Sequence, residues 1–259
     1  MCKVYLSSVL VLLLASVSFG STWTNASGID SLWSTAGNWD AIPGSGDGVY
    51  IGSSSAAGPT IDSTVTAVGG WTAIGMGYSR TVTMTGGSLT VSGLTIGERG
   101  YCTGTLDISG GTANVNGWLT LGGATSGSAN TGIITMSGNS SLTAQSLMIG
   151  NESSDSVGIV NLGGSSVLTV TSSLWFRDDK AGARLVNFDI ASAAKFIVPE
   201  SQLNSLNYYI GEGWITGNGI VGNVLVTDLG DNLQVTVLPE PATLSLLAIG
   251  LIGVLKRKR

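Results

Sequence analysis

From Arg80 to Gly97 the chain reads R-T-V-T-M-T-G-G-S-L-T-V-S-G-L-T-I-G, and the same pattern then returns. From Gly104 it is G-T-L-D-I-S-G-G-T-A-N-V-N-G-W-L-T-L-G, and from Gly132 it is G-I-I-T-M-S-G-N-S-S-L-T-A-Q-S-L-M-I-G. A further copy, G-I-V-N-L-G-G-S-S-V-L-T-V-T-S-S-L-W-F, starts at Gly158, and a decayed one, R-L-V-N-F-D-I-A-S-A-A-K-F-I-V, starts at Arg184. The starts at Arg80, Gly104, Gly132, Gly158 and Arg184 are thus nearly evenly spaced. A partial copy ends earlier, at Trp71-Thr72-Ala73-Ile74-Gly75. A repeat of this length marks one supersecondary unit stacked on its neighbours.

Each copy holds three short stretches of alternating or β-branched apolar residues, separated by glycine and serine. Alternation with period two means a strand with one buried face. No window of a dozen residues in the body shows helical periodicity. The fold class is therefore all-β. Three strands and three tight corners per copy predict a right-handed parallel β-helix, a β-solenoid with rungs of roughly 24–28 residues. Val82, Leu106, Ile134 and Val160 are expected to stack along its interior, as are Ile96, Leu121 and Ile149. A single rung cannot bury its own inner face, so stability comes from neighbours. A jelly-roll sandwich is the competing architecture, and the regular spacing of the copies speaks against it.

The open ends of such a coil need covers. Residues 21–79, with Trp23, Trp33 and Trp39, are read as an N-terminal cap and first rung, residues 80–198 as the repeats, and residues 199–238 as a C-terminal cap. Within the last, 219–237 reads as a hairpin turning at Gly230-Asp231-Asn232. The run W-S-T-A-G-N-W-D (33–40) resembles the opening segment of autotransporter-type passenger domains, which are also β-helices.

Composition narrows the chemistry. The 259 residues contain no histidine, which removes His-based general bases and His-containing metal sites. Only Cys2 and Cys102 are present, too few for a disulfide framework or a four-cysteine metal site. Charged residues are 10% of the chain, and its formal charge is −5. Residues 21–238 alone carry six basic and 15 acidic side chains, or −9. An acidic body has no electrostatic footprint for nucleic acid.

Both ends are apolar. Lys3 precedes the run Val9–Ala15, and small residues at Ser18 and Gly20 point to signal-peptide cleavage between Gly20 and Ser21. This predicts an N-terminal signal helix over 1–20 and passage through the Sec translocon; a retained anchor is the alternative. If cleavage occurs, Cys2 leaves and Cys102 is the one thiol of the mature chain. At the other end, Pro239, Glu240 and Pro241 precede Ala242, Leu244, Leu246, Leu247, Ile249, Leu251, Ile252, Val254 and Leu255, and then Lys256, Arg257, Lys258 and Arg259. The prolines favour an extended segment that a processing enzyme can grip. Ala242 to Leu255 makes a transmembrane helix of about 21 Å at 1.5 Å per residue. That is short of the roughly 30 Å hydrocarbon core. The four cations oppose translocation, which leaves this tail cytoplasmic and the body outside.

The order V-L-P-E-P-A-T, apolar helix, basic tail resembles the PEP-CTERM sorting signal of exported bacterial proteins, with Leu238 as a minor departure. The resemblance covers only the stretch from Pro239 to Arg259. It implies an exosortase as partner, transient membrane anchoring, and a final place at the cell surface or in the extracellular matrix. Through family association it also implies a link to exopolysaccharide and biofilm, with extracellular polysaccharide as a candidate partner. A simple tail anchor is the alternative.

No catalytic residue, metal site or cofactor is assigned. The cluster Arg177-Asp178-Asp179-Lys180 has the residue types of a calcium-dependent polysaccharide lyase, but a solvated corner is the simpler reading. Glu152 and Asp155 have oxygens for calcium without a recognised loop around them. Asp107 is expected to face solvent, and Glu98-Arg99 to form a surface pair. Trp71, Trp118 and Trp175 occupy near-equivalent places in their rungs. Exposed, they would form a stripe for sugar rings; the leucines at comparable places, Leu94 and Leu147, favour an interior stack instead. The body is thus expected to be a non-enzymatic rod, with a polysaccharide-binding module or lyase as the rival.

Overall fold

The computed structural model describes residues 20–52, 57–123, 129–150, 156–177, 186–191 and 193–238. The expected signal helix (1–20, apart from Gly20) and transmembrane helix (242–255) lie outside these. Among the described residues no helix is long and apolar enough to cross a membrane.

The body is a β-solenoid of about seven turns with one short helix. Its strands pair in parallel from rung to rung. Strand Arg80–Arg99 supplies all three sides of one turn, and its register against Thr103–Leu121 shifts at Met84/Thr85, Thr85/Ser88 and Val91/Leu94. Those shifts are the corners, where an unpaired residue lets the strand bend. Later turns are cut more cleanly: Thr131–Met136 and Ser141–Ile149 are separate strands, as are Val157–Leu162 and Val167–Phe176.

Three inward ladders make the core. On the first side Val82, Leu106, Ile134, Val160, Phe188 and Ile215 are in direct register, all buried. On the second, Ala67, Leu89, Ala113, Leu142, Leu168 and Phe196 follow one another. On the third, the order is Ile51, Ile74, Ile96, Leu121, Ile149 and Phe176. The stacks expected from the repeats are the first four residues of the first ladder and the third to fifth of the third. Each fully buried Leu or Ile contributes about 1.5–3 kcal/mol, and neighbouring rungs share the gain.

One alignment needs correction. The copy starting at Arg184, laid over the one starting at Gly158, sets Val186 against Val160. The structure instead pairs Gly158 with Val186 and Val160 with Phe188, two positions further along. A two-residue slip keeps every side chain on its face, so alternation alone cannot detect it.

The rungs close on a glycine seam. Gly104, Gly132 and Gly158 stand in register on the first side and point inward. A methyl group on Gly132 would overlap the Ile96 carbonyl oxygen and the Gly122 nitrogen, and one on Gly104 would overlap the Ile74 carbonyl oxygen and the Gly97 nitrogen. Both facing corners have positive φ, 73° at Gly97 and 67° at Gly122, a conformation that L side chains resist. At Gly104 and Gly132 the contact is therefore glycine against glycine, backbone against backbone, whereas Gly158 faces the Ile149 side chain. At the last full rung Val186 replaces the glycine. There the interior widens around Phe176, Phe188 and Phe196, whose rings lie 6.0 and 4.6 Å apart in sequence order.

Both ends are covered. Trp39 sits edge-on between Trp23 and Trp33, with centroids 4.9 Å away on each side, and its Nε1 donates to the Trp33 carbonyl at 2.7 Å. Buried Asn38 ties this segment together by donating to the carbonyls of Asp30 and Leu32. At the other end a helix, α1 (Leu203–Gly211), lays Tyr209 on Phe176 with centroids 4.4 Å apart. The Tyr209 hydroxyl accepts the Phe176 N–H at 3.1 Å. The sequence reading contained no helix in the body. Leu206, Tyr209 and Ile210 do carry the i, i+3, i+4 signal, but so short a helix falls below the window in which periodicity is readable. The expected hairpin is also two: Ile215–Gly217 returns as Ile220–Val221, and Val224–Asp228 returns as Asn232–Val237 around Gly230.

Gly132→Ala is expected to destabilise the body by about 3 kcal/mol or more, because backbone on both sides must move. Gly28→Ala, at a glycine with nothing within 4 Å, is expected to cost about 1 kcal/mol, the backbone penalty at positive φ alone. Urea unfolding followed by circular dichroism measures both.

Candidate functional site

The two expected processing points frame the body. Ser21, just after the expected cut, is buried; it pairs with Val49, and its N–H donates to the Gly48 carbonyl at 2.6 Å. Gly20 before it is exposed. At the far end Val237 is the last residue of strand Asn232–Val237 and pairs with Val224. Leu238 still donates to the Asn223 carbonyl at 3.2 Å. Pro239, Glu240, Pro241 and everything after them lie outside the described residues. The folded body thus runs up to the residue next to the proline motif. The first strand and the closing hairpin belong to opposite ends of the pairing order, about 34 Å apart for about seven turns at about 4.8 Å each.

Among the described residues the charged candidates are dispersed. Asp178, Asp179, Lys180, Glu152 and Asp155 lie outside the described residues. Among those described, no group of three or more acidic or cysteine side chains is placed to hold a metal ion. Asp107 points outward and is half-buried. Asp189 accepts from the Thr216 hydroxyl at 2.8 Å and the Gly219 N–H at 2.7 Å, which pins the turn at the first hairpin. Hydrogen bonds from the Leu32 N–H and the Thr35 hydroxyl hold the Asp30 carboxyl below its ordinary pKa. These carboxylates organise turns.

Glu98 departs from the surface pair expected of it. Burial pushes its pKa up, and the nearby Arg99 charge only partly offsets this. The Arg99 guanidinium reaches instead to the Met76 sulfur at 3.6 Å. Arg99 and Met76, with Thr22, Tyr50 and Gly52, line a cleft of about 360 Å³. A larger hollow of about 570 Å³ lies on the first side, lined by the hydroxyls of Ser31, Thr60, Thr81, Thr83, Thr103 and Thr105 beside Arg80.

The tryptophans overturn the interior reading. Trp71, Trp118 and Trp175 are 38%, 46% and 44% exposed. The leucines compared with them, Leu94 and Leu147, belong to the inward ladder Leu94–Leu119–Leu147–Leu174. Trp118 precedes Leu119 by one residue and Trp175 follows Leu174 by one. In a pleat of period two, one residue is the difference between core and solvent. Glycine-containing corners had blurred that count along the sequence.

Cys102 is buried, and its Sγ lies 2.8 Å from the Gly75 carbonyl oxygen and 3.0 Å from that of Arg99. Burial pushes its thiol pKa up from 9.0, so the neutral form is favoured in the fold. Stability from this group is complete below pH 9.0, the unfolded value, and falls as pH rises toward the native value. In the native protein Cys102 is expected to react with Ellman's reagent at least about 100-fold more slowly than in urea at pH 8, since burial removes both thiolate and access.

Comparison with known proteins adds one match. Residues 237–259 match the PEP-CTERM protein-sorting motif. No curated protein and no solved structure matches the chain. The chain therefore carries, directly after the last strand of its β-solenoid, the signal by which exosortase sorts proteins to the exterior through transient anchoring in the membrane.

Proposed function

We propose that this chain is a non-enzymatic structural protein of the cell surface or extracellular matrix, delivered as a finished rod and associated there with exopolysaccharide. The observation that carries the reading is the continuity of Val237, the last residue of the closing strand, with the matched motif. A signal peptide over 1–20 starts export through the Sec translocon, and the apolar stretch 242–255 halts it. The basic tail stays on the cytoplasmic side. Exosortase then acts at Pro239-Glu240-Pro241, which follows the body after one residue.

The composition of the outward positions supports a structural role. Ser88, Thr112 and Ser141 form one external row on the second side, and Thr90, Asn114, Thr143 and Thr169 form the next. Such a surface is hydrated and low in charge. A lyase on the same scaffold is the second reading. It rests on the carboxylates of 178–179, and ultraviolet absorbance of polygalacturonate with calcium tests it.

Expressed in cells with an exosortase, the protein is expected outside the inner membrane with a mass lacking both 1–20 and Lys256–Arg259. Replacing Pro239, Glu240 and Pro241 together by alanine is expected to leave the full C-terminus in the membrane fraction. Intact Lys256–Arg259 in extracellular material, read by mass spectrometry, would overturn the sorting step.

A further inference from the structure

The exposed tryptophans share one outer face. Trp71 pairs with Gly93 on the next rung, and Trp118 follows on the rung after, with its carbonyl oxygen 3.7 Å from where a Gly93 side chain would begin. Trp118 then pairs with Ser146, which pairs with Ser173. Trp175 stands on that same rung two residues further along, in the outward row Thr95, Thr120, Met148, Trp175. Every second rung therefore carries one tryptophan, and the rung between carries Gly93 or Ser146. The Trp71 ring edge lies 3.4 Å from the position that a Gly93 side chain would take, so the small residue makes room for the indole. Tyr50, one rung before, packs edge-on to Trp71 at 6.0 Å.

We propose that this strip binds an extended, uncharged β-1,4-linked polysaccharide laid along the solenoid axis. Two rung steps span about 9.6 Å, which is close to the length of an extended disaccharide unit. Trp71 and Trp118, two rungs apart across Gly93, would then meet equivalent sugars of such a chain, with Trp175 two residues to one side further along. Pyranose rings offer a C–H face to an aromatic ring, and indole offers large apolar area with one polar edge. The rows between the rings are Gly93, Ser146, Ser173, Thr95 and Thr120, which carry no charge, with Ser146, Thr95 and Thr120 buried; Arg177 stands two residues after Trp175 at one end of the strip. Between the rings the track suits hydroxyls and water, and it gives an acidic polymer no row of cations. The inference takes from the exported reading only where polymer and protein meet; the contact chemistry stands apart from sorting.

Native gels cast with hydroxyethylcellulose test it, using the full-length chain purified in mild detergent, so that a failure of sorting leaves the binding readout intact. The wild type is expected to be retarded, and polygalacturonate at equal concentration is expected to leave its mobility unchanged. Trp118→Ala is expected to weaken binding at least about fivefold, Trp118→Tyr to retain most of it, and the triple alanine variant of Trp71, Trp118 and Trp175 to migrate as in plain gel. Circular dichroism checks that each variant is folded. Mobility of the wild type unaffected by hydroxyethylcellulose overturns the proposal, as does equal retardation of a folded triple variant. Self-association of the wild type in plain gel that the triple variant loses would assign the strip to contacts between copies, and would overturn it too.

Discussion

The close approach of glycine backbones at one corner is the constraint on which the solenoid depends. Gly97 and Gly122 turn the chain with positive φ, and Gly132 faces both where no side chain fits. Without that approach, successive turns could not descend by one strand spacing at the corner while the three ladders stay in register. The register in turn makes the core: aliphatic side chains stack because the backbone is locked, and each rung covers the inner face of the next. Stability in such a rod is a sum of neighbour terms, so a fault at the seam exposes two rungs at once.

A sum of neighbour terms leaves two ends without a neighbour, and the chain closes each with aromatic rings. Three indoles gather at the first rung. At the last, phenylalanine enters on all three sides, and Tyr209 of α1 covers Phe176. Large rings suit these places because one side chain spans area that no further strand supplies. The change from Gly158 to Val186 belongs to the same transition, since a wider rung no longer needs the closest backbone approach.

Much of this was legible because each rung repeats its text. The inward ladders, the capping tryptophans and the hairpin around Gly230 follow from alternation and turn residues. Three features were not. The two-residue slip at Val186 is silent in a period-two pattern. The helix α1 is too short to show its period against noise. The outward place of the tryptophans is hidden because a corner with an extra residue, such as that between Val115 and Trp118, resets the inside–outside count. The sorting signal, by contrast, is read from linear order alone: prolines, apolar run, basic tail. Such a signal is legible whatever fold precedes it.

That difference bears on how the parts cooperate. A sorting signal must stay accessible, while a rod must bury its ends. Here the two demands meet within a few residues, because Val237 is held by the hairpin and the motif starts at the same residue. The closing hairpin pairs antiparallel with strand Lys195–Pro199, so the last parallel edge is occupied before the chain leaves the body. An exposed edge beside a membrane would pair with another exported chain. Ending the solenoid in an antiparallel hairpin moves that edge to the short strand Val224–Asp228 and leaves the tail on the strand inside it, Asn232–Val237.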